Sequence, residues 1–318
     1  MDEKKMDTDN YYLPPEKKGG FESFSKFLYN GETGELCGRT PGSWAKILLF
    51  YTIFYIVLSI FFGILMFLFY QTLDYKIPKW QLDKSLIGTN PGLGFRPMPP
   101  ESHVDSTLIW FKQDPNNYKL WTNKLDHFLE EYRDPSKRPD KGLNVVKCEY
   151  GPERPQGKVC DVDLNRFGPC KKENAYSYNK GTPCIFLKLN KIFAWQPRFY
   201  NDTNKLPEKM PNDLKNHIKQ SIAQNPATAK TVWVSCEGEN PADVENMGTL
   251  SYYPWKGFPG YYFPFQNTEG YLAPVIAVHF ESPAIGVLIN IECKAWAYNI
   301  HHDRHERRGS VHFELMID

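Results

Sequence analysis

Apolar and polar positions divide the chain at one long apolar run, which extends from Ile47 to Tyr70. The run has 24 residues and no charged side chain. As a helix it spans about 36 Å, whereas the hydrocarbon core of a bilayer is roughly 30 Å thick. It is too long for the apolar region of a cleaved signal peptide and longer than most buried core helices. Since the sequence has no second such run, the pattern predicts one transmembrane helix at 47–70.

The proline-rich stretch after the span predicts an extended stalk over residues 71–105, because proline disfavours helix at the residue before it. Asp114 and Pro115 then supply the N-cap and the first residue of a helix. Apolar residues recur at helical spacing as far as Asp134, which predicts one amphipathic helix. A weaker pattern of the same kind predicts a second helix over residues 211–224.

Most of the remaining apolar positions alternate with polar ones or form short runs, as they do in strands. Loops rich in proline and glycine separate these runs. The arrangement favours an antiparallel β sandwich that carries one prominent helix. The predicted strands are Leu143–Cys148, Cys184–Leu189, Thr231–Cys236, Val275–Phe280, Gly286–Ala297 and Ser310–Ile317.

Before the span, Phe21, Phe24, Phe27 and Leu28 also recur at helical spacing. Such a segment either lies along the membrane surface or forms a short amphipathic turn that has no role with lipid. The sequence leaves both interpretations open.

Charge excludes one class of function and leaves the membrane orientation open. The chain has 38 basic and 37 acidic residues, so it lacks the basic surface of a nucleic-acid-binding protein. Basic residues flank the span on both sides, with Arg39 and Lys46 before it and Lys76, Lys79 and Lys84 after it. The positive-inside rule therefore gives no clear orientation.

Cysteine distribution is more informative than charge. Cys37 alone precedes the span, and an even set of six follows it. An even set confined to one side is typical of disulfides in an oxidising compartment, whereas a zinc site is disfavoured because no CxxC pair occurs. The one N-glycosylation pattern, which begins at Asn201, lies on the same side. The six cysteines are Cys148, Cys160, Cys170, Cys184, Cys236 and Cys293.

These observations predict a single-pass type II membrane protein whose N-terminus is cytoplasmic. The C-terminal part, with its strands and disulfides, then lies outside the cell. The predicted regions are a cytoplasmic tail at 1–46, the membrane helix at 47–70, the stalk at 71–105 and the ectodomain at 106–318.

Golgi glycosyltransferases are also type II proteins with a lumenal domain, so an enzymatic function has to be considered. The first candidate for an active site is the Asp-x-Asp pattern Asp161-Val162-Asp163. Paired carboxylates of this kind can hold a divalent metal together with a nucleotide phosphate. The tripeptide is common by chance, however, and no alternating strand–helix units surround it. We therefore disfavour a metal role for Asp161 and Asp163.

Residues 301–306 are the densest group of possible metal ligands, with three histidines, Asp303 and Glu306. The stretch from His305 begins like the HExxH motif of zinc proteases, but Gly309 occupies the position of the second histidine. A solvated loop between two strands is favoured. The sequence also has no nucleophile elbow and no phosphate-binding loop. We predict no catalytic, cofactor-binding or metal-binding residues.

Aromatic residues are concentrated between Tyr252 and Phe265, in the sequence YYPWKGFPGYYFPF. Aromatic side chains on a proline-stiffened backbone offer large apolar area at low entropic cost, which suits a binding surface. The other interpretation is an irregular loop folded under the core of its own domain. The residues proposed for an ectodomain interface are Tyr252, Tyr253, Pro254, Trp255 and Gly257.

The membrane helix carries a second aromatic feature, in which Tyr51, Phe54 and Tyr55 share one face. Tyrosine hydroxyls deep in a span favour a protein partner over lipid. For Tyr51 a position in the interfacial aromatic belt is also reasonable.

Several short motifs before, within and after the span occur together in one known family. They are Phe27-Leu28-Tyr29-Asn30, Gly38-Arg39-Thr40, Ser43-Trp44, Leu49-Phe50-Tyr51, Phe54-Tyr55, Tyr252-Tyr253-Pro254, Gly257 and Ile291-Glu292-Cys293-Lys294-Ala295. The chain resembles the β subunits of the sodium/potassium-transporting ATPase and of the related proton/potassium pump, and we favour the sodium-pump type. The short first cysteine loop and the sparse glycosylation indicate an invertebrate or divergent member.

This resemblance implies properties that the spacing of residues does not establish. The six outer cysteines would pair in sequence order, Cys148–Cys160, Cys170–Cys184 and Cys236–Cys293, whereas the residues alone allow 15 connectivities. The ectodomain would be immunoglobulin-like. Tyr51, Phe54 and Tyr55 would pack on a membrane helix of the catalytic α subunit, and the chain itself would do no chemistry.

The function implied is that of an accessory subunit in the plasma membrane. It would help the α subunit to fold and leave the endoplasmic reticulum, and it would modulate potassium transport. Further partners would be membrane lipid and a small single-span regulatory subunit. The competing hypotheses are a cell-surface adhesion glycoprotein and, with less support, a proton/potassium pump subunit or a glycosyltransferase.

Overall fold

The computed structural model describes residues 20–31, 33–100, 102, 106–138, 140–303, 306 and 308–318. The chain separates into two compact units, Met1–Leu73 and Asp74–Asp318. Helices and strands follow in the order α1 Gly20–Leu28, β1 Tyr29–Asn30, β2 Glu35–Leu36, α2 Pro41–Gln71, β3 Leu93–Arg96, β4 Leu108–Phe111, α3 Pro115–Phe128, α4 Glu130–Arg133, β5 Val145–Val146, β6 Val159–Cys160, β7 Cys184–Leu189, α5 Asn212–Gln224, β8 Thr231–Gly238, α6 Pro241–Asn246, β9 Leu250–Tyr253, β10 Gly257–Pro259, β11 Val275–Phe280, β12 Ile289–Trp296 and β13 Ser310–Ile317.

The first unit is organised around α2, which contains the predicted span 47–70. Thr40 has an extended backbone and Pro41 occupies the first helical position, where its missing N–H costs nothing, so the helix begins there. Within the described residues, α2 is the one helix long and apolar enough to cross a membrane, and none of its residues is buried. The indole N–H of Trp44 donates to the carbonyl of Leu36 at 2.8 Å and so ties β2 to the start of the helix.

The second unit contains two large sheets and the short parallel pair β5–β6. A five-stranded sheet has the order β10-β8-β12-β13-β4, and a four-stranded sheet has the order β3-β7-β11-β9. Within these two large sheets, neighbouring strands run antiparallel except for β13 and β4, which are parallel. Alternation along β12 places Ile289, Ile291, Cys293 and Ala295 in the core, with polar residues between them, because successive side chains of a strand point to opposite faces.

The inner faces of the two sheets pack on each other. The ring of Phe313 from β13 lies 5.2 Å from that of Phe95 on β3 and 6.3 Å from that of Phe280 on β11, measured between centroids. All three side chains are buried, and each buried phenylalanine contributes roughly 1.5–3 kcal/mol to the hydrophobic free energy of folding. The antiparallel sandwich that the sequence predicts is therefore the architecture of this unit, with one parallel edge strand.

Three disulfides cross-link segments of this unit. The cysteines pair as the family resemblance implies. Cys236 and Cys293 lie directly opposite each other on β8 and β12. The bond between Cys148 and Cys160 lies beside the short β5–β6 pair, and the bond between Cys170 and Cys184 ties the preceding loop to the start of β7.

Helices cover the outer faces of the sheets. Leu214 and Ile218 of α5 pack with Trp233 and Trp296, which are register partners on β8 and β12. On the other side, the carboxylate of Asp126 in α3 accepts a hydrogen bond of 2.7 Å from the hydroxyl of Tyr176.

The predicted strands Cys184–Leu189, Val275–Phe280 and Ser310–Ile317 are confirmed at both ends. The predicted strands Thr231–Cys236 and Gly286–Ala297 correspond to β8 and β12, with ends shifted by a few residues. Leu143–Cys148 shrinks to the two residues of β5. The predicted helix up to Asp134 divides into α3 and α4 at Leu129, and that over 211–224 is confirmed as α5.

The predicted stalk over 71–105 needs a correction. Leu93–Arg96 forms β3, which pairs with β7, and Leu93 and Phe95 are buried in the core. The proline content of this stretch predicted no paired strand. Pro91 and Pro97, however, lie outside β3, so the backbone N–H groups of residues 93–96 can pair with β7.

Candidate functional site

The aromatic face of α2, defined by Tyr51, Phe54 and Tyr55, remains exposed. Helical geometry places residues three and four apart on the same side, so these rings form a continuous ladder. The centroids of Tyr51 and Tyr55 are 6.2 Å apart, and those of Phe54 and Tyr55 are 5.4 Å apart. The exposed fractions are 50%, 47% and 58%. Within the described residues of this unit, no other segment covers the face, so it is available to lipid or to another helix.

Tyr252, by contrast, is used within the second unit. Its hydroxyl oxygen accepts a hydrogen bond of 3.0 Å from the backbone N–H of Cys236. The register of β10 with β8 ends at Trp233. The backbone N–H of Cys236 lies on β8 beyond the end of β10, and Tyr252 supplies its acceptor. Burial raises the pKa of the Tyr252 hydroxyl, which keeps it protonated.

Trp255 is also held by its own unit. The guanidinium of Arg166 lies 4.5 Å from the Trp255 ring centroid, and Tyr150 meets the ring edge-on at 5.5 Å. Tyr253 lies against Gly168, where an added Cβ would come within 2.6 Å of the tyrosine ring. These contacts fix the stretch around Pro254 by aromatic packing.

Gly257 forms part of β10 and is buried. An added Cβ would approach the carbonyl oxygen of Val232 to 2.4 Å and the Cα of Trp233 to 2.9 Å, so only glycine fits this close pairing. The residues proposed as an interface therefore lie together at one end of the sheet, and most of their contacts are with their own unit.

A groove of about 560 Å³ opens beside this stretch, between α5 and Trp255. Lys256 contacts the carboxylate of Asp213, while His217 lies edge-on to Trp233 at 5.7 Å. Burial, and after it the charge of Lys256, lower the pKa of His217 below its usual value. A neutral imidazole here is a structural contact between α5 and the sheet.

Asp161 and Asp163 each contact a different group of their own unit. Asp161 pairs with the buried Arg138 at 3.0 Å, and Asp163 accepts a hydrogen bond of 2.9 Å from the backbone N–H of Asn165. The two carboxylates thus have separate structural partners. Within the described residues, no group of three or more histidine, cysteine, aspartate or glutamate side chains could hold a metal ion.

His302, Asp303 and Arg308 lie in the connection between β12 and β13. An imidazole nitrogen of His302 lies 2.8 Å from the carbonyl oxygen of Ala295, and the backbone of Asp303 bridges to that of Arg308. His305, which begins the HExxH-like stretch, lies outside the described residues, as do Arg304 and Arg307.

The glycosylation pattern at Asn201 lies in an exposed loop. The preceding residue, Tyr200, is buried, and its ring lies 4.4 Å from that of Tyr298. The loop is thereby anchored while the Asn201 amide faces solvent. This placement makes the asparagine accessible to modification.

A set of basic side chains on the four-stranded sheet was not predicted from the sequence. Arg96, Lys124, Lys188 and Lys191 line one groove, which we name the basic groove. A signal was present, because Lys188 interrupts the apolar run of β7 and Arg96 ends the apolar β3. A cation at such a position indicates that the outer face of the sheet is only partly covered there.

Comparison with known proteins decides the family. The model of the "Sodium / potassium ATPase beta chain" family matches residues 14–313. The chain belongs to this family. The resemblance stated from the sequence motifs is therefore confirmed.

Individual relatives agree with the family match. The "Sodium/potassium-transporting ATPase subunit beta-2" of Drosophila melanogaster is 54% identical, covering 97% of this chain and 96% of its own length. The subunit beta-1 of the same organism is 42% identical over 96% of this chain and 94% of its own length. The human subunit beta-2 is 29% identical over 93% of this chain and 94% of its own length.

Proposed function

We propose that this chain is the non-catalytic β subunit of a sodium/potassium-transporting ATPase and binds the catalytic α subunit. The observation that carries the proposal is the exposed aromatic face of α2, in a chain that matches the β family over nearly its full length. Two tyrosine hydroxyls within an apolar span gain more from a protein partner than from lipid tails. Tyr51, Phe54 and Tyr55 are the proposed contact residues.

The proposed role is to help α fold, reach the plasma membrane and remain stable there, and to modulate potassium transport. The chain does no chemistry in this proposal. Support comes from the family and from the structural partners that occupy Asp161 and Asp163.

The proposed orientation is type II, with residues 1–46 in the cytosol, 47–70 in the membrane, and the stalk and sandwich outside. Its support is the distribution of cysteines, since the three disulfides lie in Asp74–Asp318 and the free Cys37 lies before the span. Asn201 is the proposed glycosylation site on the outer side. An immunoglobulin-like relationship of the sandwich is part of the same proposal.

The proposed lipid contact lies before the span. Phe24, Phe27 and Leu28 of α1 are exposed, and Lys26 and Arg39 add positive charge near them. An apolar helix face with nearby cations is suited to the surface of an anionic leaflet. Binding of a small single-span regulatory subunit is supported by the family resemblance alone.

The test is purification of the tagged full-length chain in mild detergent, followed by assay of the copurifying proteins. We expect a stoichiometric partner whose ATP hydrolysis requires sodium and potassium together. A folded, disulfide-bonded chain that purifies alone would reject the subunit role. Binding between isolated chains in that case would favour the adhesion hypothesis.

A further inference from the structure

The basic groove has a volume of about 940 Å³ and lies on the outer face of the four-stranded sheet. Phe95 of β3 points inward to Phe313, so the neighbouring Arg96 points outward. Lys188 of β7 is the register partner of Gly94 and shares that outer face. Lys124 of α3 and Lys191 in the loop after β7 complete the set of cations.

Gly94 gives Lys188 the room to lie across the sheet. A Cβ added at Gly94 would lie 3.9 Å from both Cγ and Cε of Lys188, so the lysine stem crosses the glycine. The side chain is half-buried as a result, and it extends over the strand that carries Arg96.

Aromatic rings and carbonyl oxygens hold these cations in place. The guanidinium of Arg96 lies 5.6 Å from the ring centroid of Phe128, and the ammonium of Lys191 lies 5.3 Å from that of Tyr271. The ammonium of Lys124 donates to the carbonyl of Pro99 at 2.8 Å. Such contacts position a positive charge without neutralising it.

Carboxylates offset this charge only in part: burial lowers the pKa of Lys191, and the charge of the nearby Glu131 opposes that shift. In the part of the chain that the structure describes, no ion pair joins Arg96, Lys188 or Lys191 to an acidic side chain. The nearby Glu130 is paired with Lys137 at 3.4 Å, and Glu131 lies exposed at the rim. Burial, followed by the charges of Arg96 and Lys191, lowers the pKa of Lys188.

We propose that the basic groove binds a tetrahedral oxyanion, namely the sulfate or phosphate ester group of a small ligand. An ester of this kind presents three terminal oxygens, and Arg96, Lys188 and Lys191 offer three cations from two strands and a loop. Charge-assisted hydrogen bonds to such oxygens are the strong ones, and the partly desolvated groove strengthens them further. Met98 and Leu272 provide an apolar wall for the body of the ligand.

The experiment is calorimetric titration of the purified full-length chain, or of its complex with a copurifying partner, at fixed ionic strength. The probes are glucose 6-sulfate, glucose 6-phosphate and neutral glucose, which share one sugar and differ in the anion. We expect at least one charged sugar to bind saturably and at least tenfold more tightly than glucose. Binding of the sulfate alone or of the phosphate alone identifies the source, and binding of both supports the shared chemistry.

Variants connect the binding to the groove. Lys188→Met should weaken binding of the charged sugar at least tenfold, whereas Lys188→Arg should retain it because the charge stays. Lys191→Met, at the exposed rim, tests the same site without altering a strand. The matched control is Lys219→Met on the exposed side of α5, which should bind like the unchanged chain.

Two results would overturn the proposal. One is equal binding of glucose and its charged esters, since the anion would then play no part. The other is charged-sugar binding that survives both Lys188→Met and Lys191→Met, since the ligand would then bind elsewhere.

Discussion

The aromatic face of α2 and the aromatic stretch at 252–257 have opposite surroundings. On α2, the rings of Tyr51 and Tyr55 contact each other and are about half exposed. In the second unit, the hydroxyl of Tyr252 accepts a backbone hydrogen bond and Trp255 is enclosed by Arg166 and Tyr150. One set of aromatic residues is exposed, whereas the other makes its contacts within its own unit.

The difference follows from what each unit can bury. The second unit has two sheets whose inner faces pack together, and its disulfides reduce the entropy of the unfolded chain. Among the described residues, no second layer packs on α2, and none of its residues is buried. Its apolar surface must be satisfied by lipid and by other helices. A change in the second unit should therefore affect folding, and a change on the helix face should affect association.

The largest expected effect is removal of the disulfide between β8 and β12. Cys236→Ala with Cys293→Ala releases a loop with a sequence separation of 57, and the loop-entropy relation predicts a loss of about 4 kcal/mol. Cys148→Ala with Cys160→Ala, whose separation is 12, should cost about 3 kcal/mol by the same relation. Urea unfolding of both variants, followed by tryptophan fluorescence, measures this order. A reversed order would show that loop length does not control the stability of this unit.

The second prediction concerns the aromatic face alone. Tyr51→Leu, Phe54→Leu and Tyr55→Leu together should reduce copurification of the α subunit roughly tenfold or more, because contacts between membrane helices contribute about 0.6 kcal/mol each. The matched control is Phe67→Leu, which lies on the opposite side of α2. Quantitative blotting after mild-detergent purification gives the ratio of the two subunits.

Urea unfolding of the second unit should be the same in the triple variant and in the unchanged chain. If the triple variant copurifies α as well as Phe67→Leu does, the aromatic face is not the contact surface. A loss of second-unit stability in the triple variant would contradict the division between the two regions.

The third prediction compares one tyrosine hydroxyl in each region. Tyr252→Phe removes the acceptor of the Cys236 N–H, and an unpaired buried donor costs about 1–2 kcal/mol of unfolding free energy. Tyr55→Phe should leave that free energy unchanged, because Tyr55 lies outside the second unit. Denaturant unfolding of both variants makes the comparison. An equal effect of the two substitutions would remove the contrast.

Much of this organisation could be predicted from sequence, because the relevant signals are local. The long apolar run identifies α2, short apolar runs identify β7 and β11, and alternation identifies β13 to the residue. Strand β3 was missed because its four residues show too little pattern between Pro91 and Pro97. Its place depends on pairing with β7, which is distant in sequence and leaves no local sign.

Of the two aromatic surfaces, one could be predicted from the sequence and the other could not. Helical spacing was sufficient to place Tyr51, Phe54 and Tyr55 on one face, because a helix has a fixed period. For Tyr252 and Trp255, composition indicated only that aromatic residues were dense. Whether such residues face outward depends on distant partners such as Arg166 and Cys236, and the sequence does not supply those contacts.

The prediction with the smallest expected effect concerns a polar group of the second unit whose hydrogen-bond and ion-pair partners lie in the same unit. Asp126 on α3 accepts from Tyr176 and pairs with Lys172 at 3.1 Å and Arg133 at 3.2 Å. Burial alone would raise the pKa of Asp126, but these hydrogen bonds and charges lower it below its ordinary value of 3.8. The charged form therefore stabilises the fold above the ordinary pKa, and this contribution is lost as the pH falls through the lowered one.

Asp126→Asn should cost about 1 kcal/mol of unfolding free energy at pH 7, and the difference from the unchanged chain should shrink as the pH falls below about 4. The exposed Asp83→Asn serves as the matched control for the loss of one carboxylate. Unfolding titrations at a series of pH values measure both. A constant Asp126→Asn deficit down to pH 2 would mean that the carboxylate charge is not what holds α3 to Tyr176. The hydrogen-bond geometry alone would then account for the contact.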